Sequence, residues 1–236
     1  MSNQQFDIII VGAGTSGLEI AKNASLANLR VCLIDQGSSE GKGLYNKIPL
    51  LSGKLLSNTR HCLSFNSERQ KFLKNRQVPI LQGVGFGGSG LINGGVSYLG
   101  FEEKFNEVFH FWPDNFYSKV REQIFSNGNF KYNREFGFSD ALSVYFKETL
   151  LKLNFKEIDD LDGANDGFGL LHINTFHSKR NNFINDFFSN AKHQNINKIA
   201  NTKVDKIILK NGIASGVICK DLKNPKSNYT VYGSKI

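Results

Sequence analysis

Short apolar runs and mixed polar stretches alternate over the first forty positions in a strand–helix–strand order. Ile8 to Val11 form a continuous β-branched run, the pattern of a parallel strand buried on both faces. A helical stretch follows, with Leu18, Ala21, Ala24 and Leu26 apolar and Glu19, Lys22 and Asn23 polar. A second strand, VCLID, ends on the acid Asp35. From residue 37 to 77 the pattern dissolves into an irregular, mostly polar excursion. Residues 83–100 then read GVGFGGSGLINGGVSYLG, with glycine at eight of eighteen positions. A tether of that glycine content would be poor in apolar residues. Here Val84, Phe86, Leu91, Ile92, Val96, Tyr98 and Leu99 interleave with the glycines, which predicts packed backbone in close approach to something. Leu142, Phe146, Leu150 and Leu153 recur at helical spacing and predict a core-facing stripe. Residues 195–222 predict two or three strands with a hairpin turn at Asn211-Gly212.

Composition narrows the classes. A chain of 236 residues, 40% hydrophobic, can build one large domain or two small ones with a real core. The formal net charge of +8 is dispersed, and residues 156–162 are locally acidic. No basic face emerges, so a nucleic-acid partner is not expected. Cys32, Cys62 and Cys219 are odd in number and form no CxxC, which argues against a disulfide framework and a structural zinc site. Cys32 falls inside a strand pattern and reads as a buried small side chain. The start MSNQQFD lacks the basic residues of a signal peptide, and no segment approaches the ~20 apolar residues of a membrane span. The expectation is a cytoplasmic protein without a membrane span.

The six residues between the first strand and the helix carry the clearest chemistry. Gly12-Ala13-Gly14-Thr15-Ser16-Gly17 is a G-x-G-x-x-G turn, and Asp35 follows 23 positions after Gly12. Gly12 permits the tight turn, Gly14 lets backbone approach a pyrophosphate, and Gly17 lets helix and strand pack closely. The helix N-terminus offers free N–H groups to the phosphates. A carboxylate at the tip of the second strand can accept hydrogen bonds from both ribose hydroxyls and disfavours a 2′-phosphate. Strand, glycines, helix and acid in that order predict a dinucleotide site, without separating FAD from NAD.

The first motif together with NRQVPILQGVGFGGSGLINGGVSYLG resembles the N-terminal half of the glucose–methanol–choline (GMC) oxidoreductases, which oxidise alcohols with FAD. Gly87-Gly88-Ser89 and Asn93-Gly94 match the core of that family's flavin segment, with Arg76 upstream; Gly90 stands where many members carry Ser or Thr. The resemblance implies an α/β, Rossmann-like FAD/NAD(P)-binding fold with an added β-meander and an incomplete substrate-domain portion. It implies that Thr15 and Ser16 follow the phosphate turn and that Asp35, where the family usually has Glu, holds the adenosine ribose. It places Ser89 beside the pyrophosphate, Asn93, Gly94 and Val96 beside the isoalloxazine, and Val204 at the adenine. Members that bind FAD covalently do so through a His at the position of Ile92, so non-covalent FAD is expected here. Residues 109–120 resemble the family's W-x-x-D stretch, and Arg180 matches the Arg of a later G-x-R motif.

Family members are roughly twice this length, and their catalytic His lies in the half not matched. His61, His110, His172, His177 and His193 show no metal-ligand or triad spacing, so no catalytic residue and no metal ligand is assigned. Neither G-x-S-x-G, HExxH nor a P-loop points to another reaction. The domain reading is an FAD-binding core over 1–100, a flavin-lid and partial substrate region over 101–195, and strands returning to the FAD domain over 196–236. The functional expectation is an N-terminal fragment of an FAD-dependent enzyme acting on a small-molecule alcohol, completed by a C-terminal polypeptide. Two other readings stay open: a non-catalytic dinucleotide-binding remnant or interaction module, and another FAD- or NAD(P)-dependent flavoprotein.

Overall fold

The computed structural model describes residues 5–39, 48, 51, 53–97, 100, 102–113, 115–126, 139–158, 166–170, 172–173, 175–176, 179–180 and 195–236. The chain divides into two compact units, residues 1–94 with 182–236, and residues 95–181. The expected positions Tyr98, Leu99, His177 and His193 lie outside the described residues.

The first unit opens with β1 (Gln5–Phe6) and β2 (Ile8–Val11), then helix α1 (Thr15–Leu26), β3 (Val31–Ile34), and a hairpin of β4 (Cys62–Asn66) and β5 (Pro79–Gly83). In the second unit follow β6 (Val96–Ser97), β7 (His172–Ile173), β8 (Thr175–Phe176) and β9 (Lys179–Arg180). The first unit resumes with β10 (Ile196–Ile199), β11 (Thr202–Lys210), β12 (Ile213–Asp221) and β13 (Asn228–Gly233).

β2, β3 and β10 form a parallel sheet in the order β10-β3-β2, and β11, β12 and β13 form an antiparallel meander with β1 added on its edge. Period-two alternation sends the sheet's side chains to two separate cores. Ile10, Val31 and Leu33 pack with Leu18, Ala21 and Ala24 of α1, while Ile9, Cys32 and Ile34 pack with Val217, Cys219 and Val231 of the meander. The result is a three-layer Rossmann-like unit, helix on one face and meander on the other. Every residue of β3 is buried, as expected of a strand covered on both faces. In β2, by contrast, Val11 is half exposed, because the strand's far end opens on a cleft.

Burial of the thiols follows from this packing. Desolvation pushes Cys32 up to about 12 and Cys219 up to about 11, so both stay protonated and inert. In α1 the buried stripe is Leu18, Ala21, Ala24 and Ser25, and Leu26 is exposed. A helical period of 3.6 places Ser25 in line with Leu18 and Ala21 and turns Leu26 away. The Asn211-Gly212 turn joins β11 to β12 with positive φ at both residues, the type I′ geometry.

The excursion after residue 37 contains more structure than its polarity predicts, since β4 and β5 pair antiparallel from Cys62–Gly83 to Asn66–Pro79. Arg76 lies in the turn before β5, bridged to Gln70. Within the second unit, rings of Phe105, Phe109, Trp112, Phe116 and Tyr117 cluster with centroids 4.0 to 6.3 Å apart. Arg180 is 3% exposed there, and burial lowers its pKa. The helix Ala141–Lys152 carries the apolar stripe, but not as a core face: Leu142 is 77% exposed, Phe146 59% and Leu153 62%, with Leu150 half-buried. Periodicity reports that a helix has an apolar face and is silent on what covers it.

Candidate functional site

A cleft of about 660 Å³ lies at the C-terminal ends of β2 and β3, within the usual range of roughly 300–1,000 Å³ for ligand pockets. Its wall includes Gly12, Gly14, Thr15, Ser16, Gly17, Asp35, Ser89 and Val204. Eight of the eleven residues assigned from sequence are therefore brought to one cavity. The other three are not among its wall residues. Asn93 and Gly94 continue the glycine segment in the first unit, both exposed, and Val96 starts β6 in the second.

The first glycine loop is shaped by three different constraints. Gly12 turns at φ +99, a conformation that L side chains rarely adopt. At Gly17 an added Cβ would stand 2.0 Å from the Gly12 carbonyl oxygen, so helix and strand touch through backbone. At Gly14 an added Cβ would meet no protein atom within 4 Å; the space before it is open to the cleft. α1 begins there without a side-chain cap and without an acid in its first turn. The helix end thus presents N–H groups and a partial positive charge to the cleft, the arrangement that takes a phosphate.

The second glycine loop docks on the first. Gly87 N–H donates to the Ala13 carbonyl at 2.6 Å, and Gly14 and Gly87 bridge in parallel. A Cβ on Gly88 would lie 2.9 Å from the Gly14 Cα, so only glycine lets the loops meet. Val84, Phe86, Leu91 and Ile92 anchor the segment by burial. The stretch is packed backbone, as its apolar interleaving predicts. The Ser89 hydroxyl accepts from the Gly83 N–H at 3.0 Å, which leaves its proton to donate into the cleft. An added Cβ at Gly90 would stand 3.0 Å from Thr15 Oγ1, so the glycine there makes room for the threonine.

Asp35 follows β3 at the floor of both loops. Its Oδ1 accepts from Gly37 N–H at 2.8 Å and Gly85 N–H at 3.0 Å, and its Oδ2 accepts from Ala13 N–H at 2.8 Å. Val204 arrives with Thr202 and Lys203 at the start of β11. Sequence reasoning missed Gln36, Gln82, Thr202 and Lys203 as wall residues. Gln36 and the Thr202–Lys203 pair adjoin assigned residues in sequence, and that adjacency was the available signal. Gln82 had none, because β5 was not foreseen.

Among the described residues no group of three or more His, Cys, Asp or Glu is placed to hold a metal ion. None of their helices is long and apolar enough to cross a membrane.

Comparison with known proteins bears on the family and the fold. The model of the GMC oxidoreductase family matches residues 6–235. An oxygen-dependent choline dehydrogenase of Vibrio vulnificus is 24% identical over 91% of this chain and 41% of its own. One from Escherichia coli O139:H28 is 33% identical, over 38% of this chain and 16% of its own. Among solved structures, pyridoxine 4-oxidase from Mesorbium loti superposes with a TM-score of 0.76 at 17% identity, covering 97% of this chain and 48% of that one. An FAD-dependent oxidoreductase from Chaetomium thermophilum gives 0.78 at 17% identity, covering 98% and 44%. The chain spans less than half the length of these relatives.

Proposed function

The chain belongs to the GMC oxidoreductase family, and from that membership we propose that its first unit binds FAD non-covalently, as the N-terminal part of an oxidoreductase acting on the CH–OH group of a small alcohol. The observation that carries this reading is the uncapped start of α1, facing a cleft walled in part by two interlocked glycine loops. A pyrophosphate fits there: the first-turn N–H groups at Thr15, Ser16 and Gly17 and the Ser89 hydroxyl donate to it, and Gly14 lets it approach the backbone. Asp35 takes the adenosine ribose and the Thr202–Val204 backbone the adenine. Asn93 and Gly94 are assigned to the flavin end, and the assignment of Val96 rests on the family resemblance alone.

FAD, when bound, supplies the acceptor for the hydride that leaves the alcohol carbon. Ile92, 8% exposed and without a nucleophile, supports non-covalent attachment. The base that takes the hydroxyl proton is assigned to no residue of this chain. The proposal therefore includes a C-terminal portion, of the kind that makes up the rest of the relatives' length, that completes the substrate site. The exposed apolar side chains of the helix Ala141–Lys152 support such a covering partner.

The test is to add FAD to the purified chain, record the visible spectrum, and then offer a panel of alcohols, choline included, with an artificial electron acceptor. The proposal expects a perturbed flavin spectrum, release of all flavin on acid precipitation, and no turnover until a C-terminal polypeptide is supplied. A chain that takes up no FAD contradicts it.

A further inference from the structure

The carboxylate of Asp35 is held more heavily than a ligand-reading residue needs. It accepts three backbone N–H groups, from Ala13 in the first glycine loop, Gly85 in the second, and Gly37 in its own turn. Its backbone is pinned as well, with its N–H donating to the Ile199 carbonyl and its carbonyl accepting from Thr202 N–H, both at 2.9 Å. One residue thus ties the ends of β3 and β10, the start of β11 and both glycine loops. The turn after β3 meets the second loop so closely that a Cβ on Gly37 would clash with the Gly85 backbone. An ionised carboxylate offers about four acceptor positions. Three are used inside the protein, so about one is left for a ligand. Gln36, the next residue along the cleft wall, carries a neutral amide that can donate or accept.

We propose that Asp35 is a clamp that assembles the two glycine loops before any nucleotide arrives, that it accepts a hydrogen bond from one ribose hydroxyl only, and that Gln36 takes the other. The clamp stands on the hydrogen bonds alone; the division of the ribose rests on the nucleotide reading given above. In Asp35→Asn the amide oxygen can keep at most one side of the clamp, and the NH₂ group faces the remaining backbone donors. Either Ala13 or the Gly37–Gly85 pair then loses its acceptor.

Amide hydrogen exchange on the cofactor-free chain tests the clamp. Ala13, Gly37 and Gly85 are expected to exchange slowly in the wild type, and at least one side of the clamp about tenfold or more faster in Asp35→Asn, with the Leu33 amide unchanged. A variant that fails to fold where the wild type folds also supports the clamp, whereas wild-type protection at all three amides overturns it. Unprotected amides in the wild type overturn it without any variant.

Binding of ADP, 2′-deoxy-ADP and 3′-deoxy-ADP tests the ribose. Each missing hydroxyl is expected to cost the wild type about fivefold in affinity. In Gln36→Ala one of the two deletions costs nothing further, and the other costs what it did before. Equal sensitivity of Gln36→Ala and wild type to both deletions overturns the division. Failure of ADP to bind overturns the nucleotide reading and the ribose assignment together, and leaves the clamp to be judged by exchange.

Discussion

Gly17 and Gly14 show how two glycines three residues apart do opposite work. The Gly17 hydrogen faces the Gly12 carbonyl at a distance no methyl group can share, so Gly17→Ala must push α1 off the sheet. We expect a loss of about 2 kcal/mol or more in unfolding free energy, measured by urea denaturation of the cofactor-free chain. A change within about 0.5 kcal/mol contradicts the backbone contact. Both glycines were legible in sequence because a motif encodes the physics of the turn. The triple engagement of Asp35 was not, since its donors come from residues 13, 37 and 85 and depend on how the loops dock.

Elements carry the acid sensitivity and the exposed apolar surface. Asp7, between β1 and β2, accepts two hydrogen bonds from the Arg30 guanidinium and one from the Arg30 backbone N–H. Those bonds, led by the guanidinium, lower its pKa from 3.8 to about 2. A lowered carboxylate pKa stabilises the fold above its unfolded value, and that stability fades as pH falls through the folded one. The clasp is therefore complete above about pH 4 and lost by about pH 2. Asp7→Asn is expected to flatten the pH dependence of the urea midpoint across that window; an unchanged slope contradicts the assignment. The helix Ala141–Lys152 makes the second case. Leu142→Lys with Phe146→Lys should reduce binding of an apolar dye and aggregation while leaving stability within about 1 kcal/mol. A larger loss shows that the face is packed in solution. The apolar run of β2 predicted a strand covered on both faces, and its middle residues Ile9 and Ile10 are so covered because both cores lie within this chain, while Val11 opens on the cleft. The helical stripe misled for the converse reason: amphipathicity marks a face that wants cover and does not say which atoms provide it.

For the whole molecule, the three-layer first unit is the part whose architecture agrees with what its sequence predicts. Its parallel sheet was readable from an apolar run, a glycine turn and an acid. The hairpin of β4 and β5 was not, because its strands are mostly exposed and lack a strong period. The central claim is that the cleft at the start of α1 holds FAD, and Gly14→Val tests it most directly. A Cβ at Gly14 would meet no protein atom within 4 Å, so a valine there intrudes on the cleft where the pyrophosphate is proposed to approach the backbone. Titration with FAD, followed by flavin fluorescence, is expected to show one saturable site in the wild type. The same titration should show none in Gly14→Val, with the cofactor-free unfolding midpoints of the two proteins alike. Wild-type FAD affinity in a folded Gly14→Val chain, or no binding by the wild type, would contradict the account.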